Sequence, residues 1–320
     1  MSLSRRRFIT IAAGSLLTAN SAFSAPLPGA RWQGIALGAH ADLRLTGLPE
    51  GEAEELLASA RAEIERLERI FSLYRADSAL VRLNTTGVLD EPAPELLELC
   101  SLVSGIHQAS RGKFDPSVQP LWAAYADANG TLDRDTLNAA RAATGWNKVH
   151  VSADQIRIAP GGALTFNGIA QGFITDKIVA LLTAQGLETG LISVGEIAAV
   201  GLSPDGDGWR IGLAEFEDGQ PETSIRLHDQ AVATSSPRGT MIGSGGIGSA
   251  GIGHILDPVS GLPAPTIWKR VSVMHRSAAV ADGLSTAAVL TEPSLLHELI
   301  ARFPGTRVNA VTDQGTHILS

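Results

Sequence analysis

The sequence predicts an α+β fold: a single domain with two lobes of mixed sheet and packed helices. Three observations predict it. Residues 52–74 carry apolar side chains at helical spacing, with Leu56, Leu57, Ala60, Ile64, Leu67, Ile70 and Phe71 on one stripe. The C-terminal half carries short strand-like runs that mix with helical segments and are joined by turns rich in proline and glycine. Finally, 320 residues with 44% hydrophobic content can bury a full core, and neither an internal repeat nor a long linker divides the chain.

Taken in order, the elements begin with an address. Ser4-Arg5-Arg6-Arg7-Phe8-Ile9 and the apolar run 11–17 have the form of a twin-arginine (Tat) export signal, and the run is too short to span a bilayer. Small residues at Ala22 and Ser24 put cleavage near Ser24, with Ala25 the other option. Residues 1–24 are therefore read as the signal and 25–320 as the domain, which implies a periplasmic protein without a transmembrane anchor. Losing 1–24 removes three arginines and no acid, so the net charge of −8 deepens by three. The acidic excess, 33 acids against 25 bases, argues against nucleic acid or an anionic membrane surface as the main partner.

A second helix is expected over 94–108. It contains Cys100, the sole cysteine, which can form no intramolecular disulfide and is most simply a buried small hydrophobe. Around 165–177 a strand end turns tightly into a helix, with Asn167 as N-cap, Gly186 as the stop, and Ile169, Phe173, Ile178, Leu181 and Leu182 on its apolar face. Strands are expected at 191–200, 209–213, 230–234, 270–274 and 307–311, with exposed loops at 204–208 and 215–222. Gly243-Ser244-Gly245-Gly246-Ile247-Gly248 matches a dinucleotide-binding pattern. More glycines follow it, where a fingerprint needs a strand before and a helix after, so a hairpin tip or a lid is the better reading.

Two stretches carry chemistry. In Ala281-Asp282-Gly283-Leu284-Ser285-Thr286 a carboxylate and a hydroxyl stand four residues apart, about one helical turn, a pair suited to magnesium with its oxygen ligands and retained waters. The competing reading makes Asp282 a helix N-terminal residue and Thr286 a core hydroxyl. In His254-Ile255-Leu256-Asp257-Pro258, a histidine follows a glycine-rich run. It is the candidate general base, which Asp257 would orient if the turn folds back, and the competing reading is a structural histidine.

Together with Phe71-Ser72-Leu73-Tyr74-Arg75-Ala76-Asp77-Ser78, Gly112-Lys113-Phe114-Asp115-Pro116 and Thr165-Phe166-Asn167-Gly168-Ile169-Ala170-Gln171-Gly172, these ordered blocks resemble the ApbE family of FAD:protein FMN transferases over residues 33–320. The resemblance implies transfer of FMN from FAD to a threonine or serine hydroxyl of an acceptor flavoprotein, with AMP released and magnesium required. It implies Asp282, Thr286, Ser285 and the carbonyl of Gly168 as metal ligands, Ser285 the weakest because relatives sometimes carry an acid there. For FAD it implicates Leu37, Tyr74, Lys113, Phe114, Asp115, Thr165, Gln171 and Ile255, each of which ordinary packing would also explain. His254 and Asp257 become the catalytic candidates.

This chain departs from the family pattern in three ways. Thr165 stands where many members have an acid, Gln171 where they have a lysine, and Gly195-Glu196 replaces a Gly-Gly-Asp. The Gly-Glu form resembles the branch associated with nitrous oxide reductase maturation, whose acceptor would be a membrane-bound flavoprotein. Two other functions use the same residues: hydrolysis of FAD to FMN and AMP, or flavin binding without chemistry as an assembly factor.

Overall fold

Residues 29–46 fold back as a hairpin because Leu37 and Gly38 both take left-handed backbone conformations, φ 49° and 81°, the pair of positive φ angles that a tight two-residue turn requires. That hairpin is β1 (Gly29–Ala36) and β2 (Ala39–Thr46), and the structure, a computed structural model, describes residues 15–16, 28–215, 219–243 and 251–320. The twin-arginine motif and the tip at 244–250 lie outside the described residues.

Among the described residues the central sheet has eight strands. With β3 (Thr189–Val194), β4 (Ile197–Val200), β5 (Trp209–Leu213), β6 (Thr223–Leu227), β7 (Ala231–Ser235), β8 (Trp268–His275), β9 (Arg307–Thr312) and β10 (Gly315–Leu319), its order is β10-β9-β8-β7-β4-β3-β2-β1. Every pairing is antiparallel, so the sheet is not mixed in direction: hairpin turns join β1 to β2, β3 to β4 and β9 to β10. The single run expected at 191–200 is one of these hairpins, broken at Gly195-Glu196. The remaining strands fall within a few residues of their expected positions.

Alternation along the strands splits the interior in two. Ile192, Ala233 and Val273 face a layer of helices, whereas their neighbours Leu191, Val232 and Met274 face β5 and β6, a separate small sheet packed on the opposite side. The helical layer is α1 (Glu50–Phe71), α2 (Ala79–Thr86), α3 (Pro94–Ala109), α6 (Ala170–Ala184), α7 (Ala278–Val289) and α8 (Leu296–Ile300). The shorter α4 (Gln119–Asp127) and α5 (Arg134–Ala143) form a side cluster with Leu256 and Ile242. Phe71 ties α1 to α6 through edge-on contacts with Phe166 and Phe173, ring centroids 6.4 and 5.5 Å apart. Cys100 is buried on α3, and burial pushes its thiol up to about 12, consistent with an inert small hydrophobe.

Helix α7 is apolar almost all round, which fits a helix enclosed on every side. Of its twelve residues, only Thr286 is not fully buried. The helix packs on the sheet, on α3 and on α6, so its one opening is at Thr286, where the chemistry must be sought.

Candidate active site

Asp282 sits in the middle of α7, not at its start: the N-cap is Ser277, whose Oγ accepts from Val280 N at 3.2 Å. Capping therefore does not explain Asp282. Its carboxylate is 4% exposed and accepts one hydrogen bond, from Gly172 N at 3.2 Å, near the start of α6. Burial pushes this carboxyl up to about 8, the Gly172 amide offsetting part of the rise and the charge of Asp176 adding to it.

Thr286 stands one turn further on, beside Gly168. A Cβ built on Gly168 would lie 3.0 Å from Thr286 Oγ1 and 3.5 Å from the Phe114 ring, so the absence of a side chain lets the backbone come close to both. Ser285 is fully buried; its Oγ donates to Asp282 O at 2.9 Å and lies 2.7 Å from Ser235 Oγ, which is in turn 3.5 Å from Thr286 Oγ1. With its hydroxyl spent on its own helix, Ser285 has the least left for a ligand.

Do these residues fit a cation? A buried carboxyl with one hydrogen bond and no basic side chain among its described partners keeps its proton at neutral pH, and a bound cation is what would ionise it. Glu196, at the β3–β4 turn, is buried as well; burial first, then the charge of Asp282, raises its carboxyl well above the usual range. Among the described residues no group of three or more His, Cys, Asp or Glu side chains is placed to hold a metal. Asp282 and Thr286 stand one helical turn apart with the Gly168 backbone beside Thr286, and oxygen donors of these types suit a hard cation that keeps several waters.

The helix start differs from expectation. Asn167 does not cap α6: the chain makes a further turn, Ile169 N and Ala170 N both donating to Phe166 O at 2.9 and 2.7 Å, and the helix begins at Ala170 without a side-chain cap. Asn167 instead bonds the Tyr74 side chain. The half-exposed Tyr74 ring lies against Gly38, where a Cβ would come within 3.2 Å of it. Leu37, next in the turn, donates its N–H to Glu68 Oε1 at 2.7 Å. A leucine at positive φ is uncommon, and the Glu68 carboxylate holds it there.

The loop side is assembled from distant segments. Lys113 Nζ lies 2.6 Å from Asp257 Oδ2, and the other Asp257 oxygen accepts from Val259 N and Ser260 N at 2.8 and 3.0 Å. Asp257 thus does not orient His254, because both its oxygens are taken by Lys113 and its own turn. Burial would raise its carboxyl, but the Lys113 ammonium and the two amides hold it below the usual range. Among the described residues His254 hydrogen-bonds only Thr240, Nδ1 to the carbonyl at 3.1 Å, and burial lowers the imidazole to about 4. Asp115 is buried and fully spent: it accepts from Ser117 N and Oγ at 2.8 and 2.5 Å and from Trp146 N at 2.9 Å, so it shapes the loop that carries Lys113 and Phe114. Ile255 is core. Thr165 caps the following turn, its Oγ1 accepting from Asn167 N at 3.2 Å.

A scan against family models matches the ApbE family over residues 37–310. The chain belongs to the ApbE family. Among curated proteins it is 30% identical to the FAD:protein FMN transferase of Treponema pallidum, over 80% of this chain and 77% of that one, and 25% identical to that of Klebsiella pneumoniae, over 88% and 84%. Among solved structures it resembles the apo flavinyl transferase ApbE of Pseudomonas stutzeri, with a TM-score of 0.77 and 26% identity over 93% of this chain and 98% of that one. It shares the fold of the ApbE protein of Thermotoga maritima at a TM-score of 0.78 and 22% identity, over 91% of this chain and 96% of that one. With relatives of this name in both sequence and structure, the chain is an enzyme of the flavin-transferase kind.

Within this ApbE chain, two departures from the family pattern meet each other. Gln171 is buried against Gly195, where φ is 91° and a Cβ would fall 2.6 Å from Gln171 Cδ. Only glycine meets both conditions. Thr175 Oγ1 fastens the same turn to α6, donating to Glu196 O at 3.2 Å and accepting from Val194 N at 3.3 Å. Asp176, Glu68 and Ser235 lie in the site's supporting shell and carry no signal in sequence spacing, since each meets a partner 31 or more residues away.

Proposed function

We propose that this chain is a magnesium-dependent transferase that moves FMN from FAD onto a threonine or serine hydroxyl of an acceptor flavoprotein, releasing AMP. The observation that carries the reading is the buried Asp282 carboxylate, with Thr286 one turn on and Gly168 against it, in a family whose relatives bear that name. When bound, magnesium would be held by Asp282, Thr286 and the Gly168 carbonyl and would neutralise pyrophosphate charge.

The acceptor hydroxyl oxygen forms a bond to the flavin-side phosphorus as the bond from that phosphorus to the bridging oxygen breaks, and AMP leaves with that oxygen. The hydroxyl proton goes to His254 Nε2. A carbonyl can only accept, so the contact with Thr240 O places the ring proton on Nδ1 and leaves the Nε2 lone pair free. An imidazole lowered to about 4 is neutral at pH 7 and available as a base throughout the neutral range. Leu37, Tyr74, Lys113 and Phe114 supply the flavin side. Asp257 contributes through Lys113.

The reading extends to place and partner. The Arg5-Arg6-Arg7 motif supports export to the periplasm, and Gly195-Glu196 supports the branch serving nitrous oxide reductase maturation, with a membrane-bound acceptor exposed on the same side. Among the described residues no helix is long and apolar enough to cross a membrane. The test is intact-mass measurement of a candidate acceptor domain incubated with this protein, FAD and magnesium. The expected gain is one FMN less one water, lost when EDTA replaces magnesium. Release of FMN and AMP with the acceptor mass unchanged would make the protein a FAD pyrophosphatase instead.

A further inference from the structure

Helices α6 and α7 exchange carboxylates. Asp176, in the second turn of α6, reaches the start of α7: its Oδ2 accepts from Ser277 Oγ at 2.6 Å and Ala279 N at 3.0 Å, and its Oδ1 accepts from Ala278 N at 2.7 Å. Asp282, in the second turn of α7, reaches back to Gly172 N. Between the two contacts the helices are nearly fused, since a Cβ on Gly172 would lie 2.3 Å from Ala278 O.

Asp176 is more than a cap. Helix α7 already has its own, Ser277 on Val280 N. Ser277 reaches only Val280 N, whereas Asp176 takes the two amides before it and the Ser277 hydroxyl as well. What the carboxylate adds is three fixed points on one helix end. An α-helix turns 100° per residue, so a slip of one position at Ala278 would swing Asp282 and Thr286 away from Gly172 and Gly168.

We infer that Asp176 is a positioning residue: it fixes the rotation and register of α7, and through them the directions of Asp282 and Thr286. Its functional consequence rests on the cation reading above, while the positioning itself rests on the contacts between the two helices.

The test uses the whole protein without FAD. In Asp176→Asn, hydrogen–deuterium exchange should quicken at the amides of 278–286, and Mn2+ affinity, read by electron paramagnetic resonance, should weaken at least tenfold. Ser277→Ala, which leaves the bonds from Asp176 to Ala278 and Ala279, should quicken exchange only in the first turn and change Mn2+ affinity less than twofold. Should the Asn variant fail to fold, Asp176→Glu, with the charge kept and the reach altered, should show the same changes in smaller measure. Exchange confined to 278–280 with unchanged Mn2+ affinity would overturn the inference. Quickened exchange through 282–286 upholds the positioning, and if the unmodified protein then takes no Mn2+, the cation reading fails alone.

Discussion

The two sides of the proposed active site are built differently. On one side Asp282, Thr286 and Gly168 sit on or against two buried helices clasped by Asp176 and Gly172. On the other, Lys113, Asp257 and His254 sit on turns brought together from segments 144 residues apart in the Lys113–Asp257 pair, beside a glycine-rich stretch. The difference separates two demands. A site for a cation must hold few donors in fixed directions, which rigid helices do; a site that admits FAD and then an acceptor must open, and turns with half-exposed ion pairs do that at low cost.

The sharpest break of this comparison is Asp282→Asn. Removing the charge while keeping the shape should lower transfer by about a thousandfold or more, as the loss of the ligand that holds the cation on the reacting phosphates does. Folding should survive, because a buried carboxylate with one hydrogen bond stabilises little at neutral pH. Turnover at saturating magnesium together with a thermal melt checks both.

On the loop side His254→Ala should cost about a hundredfold in kcat with FAD affinity within twofold, the pattern of a group that acts in the transition state. Because the imidazole is lowered to about 4, the acid limb of the wild-type kcat/KM profile should fall below pH 5 and not near 6.5. A limb at 6.5 would move the base elsewhere.

Lys113→Met should raise KM for FAD about tenfold and leave kcat nearly unchanged, since the lysine binds without touching the reacting bond. Its partner Asp257 is partly exposed, so the pair contributes little to stability and the melt should shift by no more than about 2 °C.

The smallest signal is in stability against pH. The folded-state carboxyl of Asp282 is raised to about 8, well above its unfolded value, so the folded metal-free protein holds a proton that the unfolded chain has lost. Its stabilising contribution is complete below about pH 4 and falls away as pH rises through 8. Thermal melts at pH 5 to 8 should show that decline, and Asp282→Asn or added magnesium should lessen it, the remainder belonging to the buried Glu196.

The same division explains what the sequence made legible. The spacing of Asp282 and Thr286 is a helical period, readable in any chain, and the helices α1 and α3 likewise announce themselves through local periodicity. Asn167 misled because it sits where an N-cap should, while the Phe166 carbonyl draws in two amides and delays the helix by a turn. Asp257 misled because proximity in sequence to His254 counted for less than a lysine 144 residues away. Asp176 was present in the motif but silent, since a helical aspartate facing another helix has no periodic mark.

The most direct test of the account is the anomalous scattering of manganese in crystals of the protein grown with FAD and Mn2+ in place of magnesium. The account predicts one peak within coordination distance of an Asp282 carboxylate oxygen and Thr286 Oγ1, facing the Gly168 carbonyl and the pyrophosphate. A peak bound only at the Lys113–Asp257 side, or FAD seated with no metal against α7, would contradict it.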